Sequence, residues 1–131
     1  MMDATPSLQG LRLMLVEDET LVAMMLEGML DDFGCVVTEV AGTLPRALAI
    51  TDHPSITFDG AILDVNLGGD KVYPVATRLA ELGVPFIFST GYGPAGLAAD
   101  FAHVPTLTKP YLPHELENLL KSVMVDAQGR C

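Results

Sequence analysis

Short, almost wholly apolar runs, separated by amphipathic stretches, constrain this chain more than any other feature. Residues 12–16 carry one polar side chain, Arg12, and residues 60–64 and 85–89 repeat that shape. Such runs fit strands buried on both faces, the condition of a parallel sheet covered by helices. Residues 35–41 make a fourth run, and residues 106–108, ahead of Pro110, a weaker fifth. Between them lie helical stripes. Val22, Leu26, Met29, Leu30 and Phe33 recur at helical spacing ahead of Gly34. Thr43 is placed to cap a second helix, with Pro45 in its first turn and its end near Thr51. Val72, Val75, Ala76, Leu79 and Leu82 precede Gly83, and Leu116, Leu119, Leu120 and Val123 follow Pro113. Strict alternation of strand and helix predicts an α/β fold, one open, doubly wound parallel sheet of five strands with helices on both faces. Residues 91–104, GYGPAGLAADFAHV, break the pattern. An irregular, mobile segment with at most a short helix is expected there in place of a regular fourth helix. Residues 11–126 form the expected domain, with flexible ends at 1–10 and 127–131.

Charge narrows the partners. Among 131 residues, 17 Asp and Glu stand against 7 Lys and Arg, a formal charge of −10. Nucleic acid and anionic membrane surfaces would repel such a chain. No apolar run approaches the ~18 residues of a membrane span, and the start MMDATP lacks a secretion signal, so a cytoplasmic protein is expected. Cys35 and Cys131 show no CxxC pairing, and His53, His103 and His114 show no ligand spacing, which argues against a disulfide or a zinc site.

In open α/β sheets ligands bind beyond the carboxyl ends of the strands. Here the first strand ends in Glu17 and Asp18, followed by Glu19; the third ends in Asp64; the fourth in Ser89 and Thr90; the fifth in Lys109. Carboxylates gathered this way repel one another and need a cation. Hard oxygen donors select Mg²⁺, or Mn²⁺ in its place. Mg²⁺ commonly shares its octahedron with a phosphate, which makes Asp64 the natural nucleophile for a phosphoryl group. Lys109 would neutralise the equatorial oxygens and Thr90 would donate a hydroxyl hydrogen bond.

Taken together, these residues resemble the response regulator receiver domain over about residues 11–126. Residues 15–19, LVEDE, look like the acidic pair closing the family's first strand, and residues 63–67, LDVNL, like its phosphoacceptor segment. Thr90 with Gly91, and Lys109 with Pro110, match its other two motifs. The resemblance implies a flavodoxin-like sheet of order 2-1-3-4-5. It implies Mg²⁺ held by Glu17 or a water bound to it, by Asp18, by Asp64 and by the backbone carbonyl of Asn66. It also implies phosphoryl transfer to Asp64 from a histidine kinase or phosphotransfer protein, so that the chain acts on its own phosphoryl group rather than as an enzyme. Output would pass through a surface read by a protein partner, or the chain would act as a phosphate sink. Residues 85–92, PFIFSTGY, are similar to the PFxFATGY signature of the FATGUY single-domain receivers, with Ser89 where alanine is usual. The position of the family's aromatic switch is Thr106, so Tyr92 or the 91–104 segment is the expected carrier of the signal.

Blander readings compete. Glu17, Asp18 and Glu19 could simply favour a helix N-terminus, and Lys109 alone reads as a surface lysine. Met24, Met25 and Met29 read most simply as helix packing. A phosphorylation-independent interaction domain is one alternative. Gly91, Gly93 and Gly96 also match GxGxxG, but after the fourth strand and around Pro94, the wrong context for a dinucleotide site.

Overall fold

Period-two burial explains why the central strands are apolar throughout. The computed structural model describes residues 7–53, 55–93 and 96–125. Its main sheet contains β1 (Arg12–Val16), β2 (Val36–Ala41), β3 (Gly60–Asp64), β6 (Phe86–Thr90) and β7 (Thr106–Thr108). All pairs are parallel, in the order β2-β1-β3-β6-β7. Counting these five alone, the order is 2-1-3-4-5, as expected. Alternate residues serve opposite faces. Leu13, Leu15, Ile62, Ile87 and Leu107 meet Leu26 and Leu30 of α1 (Thr20–Asp32) and Leu116 and Leu120 of α4 (Pro113–Met124). Met14, Val16, Ala61, Leu63 and Phe88 meet α2 (Leu44–Thr51) and α3 (Tyr73–Glu81). Each fully buried Leu or Ile contributes about 1.5–3 kcal/mol, which fixes the register because a one-residue slip would exchange the faces.

Local chemistry sets the helix ends. Thr43 Oγ1 accepts from the Arg46 amide at 3.3 Å, ahead of α2, as expected. The Glu115 carboxylate accepts from the Leu112 amide at 2.7 Å, closing the first turn of α4. No helix among the described residues is long and apolar enough to cross a membrane.

Three features depart from expectation. Residues 7–10, assigned to a flexible end, are folded: Leu8 is buried, its carbonyl faces the Cys35 thiol, and the Gly10 amide donates to the Gly34 carbonyl at 2.8 Å. One apolar side chain with a place in the core outweighs the fraying expected of a terminus. Directly after β3, a hairpin of β4 (Asn66–Leu67) and β5 (Asp70–Lys71) turns through Gly68 and Gly69, whose φ of 58° and 102° suit glycine. Between β6 and β7 the described residues hold a 3₁₀ turn at Ala99–Phe101 and no α-helix, matching the irregular segment, yet its second half is pinned. The Ala98 amide donates to the Tyr73 hydroxyl at 3.0 Å, Phe101 stacks on Tyr73 with centroids 5.0 Å apart, and Val104 is buried. Tyr73→Phe removes that acceptor, worth ~1 kcal/mol. Amide exchange at Ala98 is therefore expected to quicken about fivefold while the Phe101 contact keeps the turn in place. Cys131 and residues 127–131 lie outside the described residues.

Candidate functional site

The alternation that builds the core also aims the polar strand ends. Glu17 follows Leu15 by two residues, Asp64 follows Ile62, and Ser89 follows Ile87, so all three emerge on the face covered by α1 and α4. Asp64 and Ser89 are register partners. Lys109 leaves the end of β7, its amide donating to the Thr90 carbonyl at 2.8 Å, and its peptide bond to Pro110 is cis. The ammonium lies 3.0 Å from Glu17 Oε1 and 3.3 Å from Asp64 Oδ2. Residues 92 and 45 positions away in sequence thus meet the lysine. Both carboxylates are buried, and the Lys109 side chain is 24% exposed. The second oxygen of each is held by the backbone: Glu17 Oε2 accepts from the Glu19 amide at 3.2 Å, and Asp64 Oδ1 from the Asn66 amide at 3.3 Å.

Two buried carboxylates share one ammonium, and Glu17 bears the imbalance. Burial, with the adjoining Asp64 carboxyl, pushes its pKa up to about 7 against the pull of Lys109. Burial also disfavours the charged Lys109, but the Glu17 and Asp64 carboxylates outweigh it and raise the ammonium pKa overall. Since the folded Glu17 holds its proton up to about 7 while the unfolded value is 4.5, its contribution to stability declines as pH rises across that window. A divalent cation competes with the same proton. Mg²⁺ affinity is therefore expected to drop by up to about tenfold per pH unit below pH ~7. Calorimetric titration at several pH values measures this, and a pH-independent affinity would contradict it.

The donor set fits a hard cation. Carboxylate oxygens of Glu17, Asp18 and Glu19 lie within 4.8 Å of one another. Asp18, Glu19, Asp64 and Asn66 line one open cleft of ≈430 Å³ together with Lys109 and Tyr92. Gly68 of the hairpin borders it, its Cβ position only 3.7 Å from Asp18 Oδ2. These are oxygen ligands without sulfur or imidazole, suited to Mg²⁺ or Mn²⁺.

The remaining candidates divide. Thr90 is buried, and its Oγ1 accepts from the Tyr92 amide at 3.1 Å, which leaves its O–H free to donate elsewhere. Tyr92 is exposed at the cleft. Thr106 is not at the cleft: it pairs with Phe88 at the start of β7, and its hydroxyl donates to the Val104 carbonyl at 2.9 Å. Gly68 and the hairpin escaped the sequence reading, although the Gly-Gly pair just after a strand was their signal. Tyr111, two residues after Lys109, is partly buried against the apolar cluster on the α1 and α4 face. Its pKa is raised by burial, and the charges of Lys109, Glu17 and Asp64 reach it.

No family model and no curated protein matches the chain. Solved structures do. The solution structure of SdrG from Sphingomonas melonis Fr1 is 38% identical, over 85% of this chain and 93% of that one, with a TM-score of 0.72. The BeF3-activated conformation of SdrG from Pseudomonas melonis Fr1 is 35% identical, over 88% and 96%, with a TM-score of 0.71. The response regulator PhyR from Brucella abortus is 28% identical over 90% of this chain, with a TM-score of 0.77, and the chain spans 49% of that regulator's length. Sheet order, strand-end acids, the bridging lysine and this similarity agree: the chain belongs to the response regulator receiver domains.

Proposed function

We propose that the chain accepts a phosphoryl group on Asp64 from the phosphohistidine of a kinase or phosphotransfer protein. The observation that carries this reading is the Lys109 ammonium joining Glu17 and Asp64 at the rim of an open acidic cleft. One Asp64 oxygen attacks phosphorus; the O–P bond forms as the P–N bond breaks. The imidazole leaves with the bonding pair, and the product is an acyl phosphate. Lys109 is placed to neutralise a phosphoryl oxygen, and the Thr90 O–H to donate to one. Glu17 or its water, Asp18, Asp64 and the Asn66 carbonyl would hold Mg²⁺, or Mn²⁺, which supplies further charge neutralisation when bound. The chain turns over no substrate other than its own phosphoryl group.

Residues 85–92 support assignment to the FATGUY subgroup. With Thr106 remote from the cleft and Tyr92 exposed beside it, Tyr92 is the better placed of the two to show a partner the state of Asp64. A protein partner and a phosphate-sink role both remain compatible with that surface, and a cytoplasmic setting suits a kinase donor.

Incubation with acetyl phosphate and Mg²⁺, followed by borohydride reduction and peptide mass mapping, tests the reading. A gain of one phosphoryl group, converted to homoserine at position 64, is expected. No gain, or trapping at another residue, would contradict it.

A further inference from the structure

The β4–β5 hairpin carries a cation beside the acidic cleft to which the phosphoryl chemistry gives no task. In a chain of formal charge −10, Arg12, Arg78, Lys109 and Lys121 are each paired with carboxylates. Among the described residues Arg46 and Lys71 are not, and Arg46 lines a separate groove with His53 and Phe58. Three observations place Lys71. It is the register partner of Asn66. One pair further from the turn, the Val72 amide donates to the Val65 carbonyl at 3.0 Å, so Asn66 and Lys71 form a non-hydrogen-bonded pair, whose side chains lie close and leave the same face. Val65, Leu67 and Val72 are buried on the opposite face, which turns Asn66 toward the cleft and leaves Lys71 exposed beside it. Gly68 of the same hairpin stands next to Asp18, after β1, whereas Lys109 arrives from β7, so the hairpin and Lys109 flank Asp64 from opposite sides.

We propose that Lys71 is a steering residue for the phosphoryl donor, its ammonium offsetting the field of Asp18, Glu19 and Asp64 as the donor's doubly negative phosphoryl group enters the cleft. Carboxylates gathered to hold Mg²⁺ repel an incoming dianion, and Lys109 is already engaged by two of the buried acids. Lys71 has no carboxylate to satisfy. Asn66 follows Asp64 by two residues, and Lys71 lies about 4.5 Å across the hairpin from Asn66, so its charge acts within roughly a Debye length, ~10 Å at 0.1 M salt. The same charge opposes Mg²⁺. One ammonium thus works on the two species that enter the cleft in opposite directions, toward the anion and against the cation. The role rests on the reading of Asp64 as phosphoacceptor.

The test compares Lys71→Gln and Lys71→Glu with the unaltered chain; the position is exposed, so the fold is expected to hold. At saturating Mg²⁺ and low ionic strength, the initial rate of phosphorylation by acetyl phosphate is expected to fall about threefold in Lys71→Gln and about tenfold in Lys71→Glu. At roughly 0.5 M salt both differences should shrink below about twofold. Mg²⁺ affinity, measured by calorimetry without donor, should move the other way and rise by about threefold and about tenfold. A lysine that served the hairpin's stability alone would depress rate and Mg²⁺ affinity together, with no dependence on salt. That result, or equal rates in all three chains at low ionic strength, would overturn the steering role. Failure of the unaltered chain to take a phosphoryl group from acetyl phosphate would instead remove the phosphoacceptor reading, and the steering role with it.

Discussion

Asp64→Asn is expected to reduce phosphoryl incorporation from acetyl phosphate or a phosphorylated kinase by more than about a thousandfold while the fold survives. An amide oxygen is a poor nucleophile and gives no stable acyl phosphate. The substitution is nearly isosteric: the side-chain oxygen can still accept from the Asn66 amide, and Lys109 keeps Glu17 as its partner. It also removes the neighbouring carboxyl that helps raise Glu17, whose pKa should fall below about 7. The thermal midpoint in Mg²⁺-free buffer should therefore hold or rise, and the pH dependence of stability should flatten. Labelling of Asp64→Asn at the level of the unaltered chain would refute Asp64 as the acceptor.

Lys109→Ala carries the second large effect, and its size depends on pH. Removing the ammonium leaves Glu17 and Asp64 buried together without a cation. Breaking a buried pair from one side costs ~3 kcal/mol or more when the stranded groups stay charged. Glu17 has an escape, because its pKa is already up to about 7 and loss of Lys109 drives it higher. Below pH 6 it takes a proton and the loss should shrink to ~1 kcal/mol. Near pH 8 the full loss should appear, and Mg²⁺ should recover much of it. Urea denaturation at the two pH values, with and without Mg²⁺, reads these quantities. Equal losses at both would show that the lysine acts by packing alone. Mg²⁺ binding should persist in Lys109→Ala, whereas the response of Tyr92 to phosphorylation should vanish.

How much of this was legible in the sequence depended on how far each signal reached along the chain. The runs ending at Val16, Asp64 and Thr90 were readable because burial on both faces leaves little room for polar residues. The stripes of α1, α3 and α4 were readable because a single face must repeat over several turns. The β4–β5 hairpin was not, since two-residue strands have no period to detect. Leu8 was assigned to a loose end because one apolar residue carries no pattern, although its place in the core is unambiguous. The strand order came from resemblance, as periodicity says nothing of neighbours. At the site, strand-end position alone brought Glu17, Asp64 and Lys109 to one rim. It could not show that Thr90 would engage the Tyr92 amide, that Thr106 would lie away from the cleft, or that Ser89 would be buried beside Asp64. Those depend on side-chain directions set by register, which emerge only when the strands pair.

The most direct test of the central claim is a residue-by-residue nuclear magnetic resonance titration with beryllofluoride in the presence of Mg²⁺. Saturation at one equivalent is expected, with the largest shifts at Asp64, Asn66, Thr90, Tyr92 and Lys109, and with no response to beryllofluoride when Mg²⁺ is withheld. Absence of saturable binding, or shifts gathered away from the strand-end rim, would contradict the account.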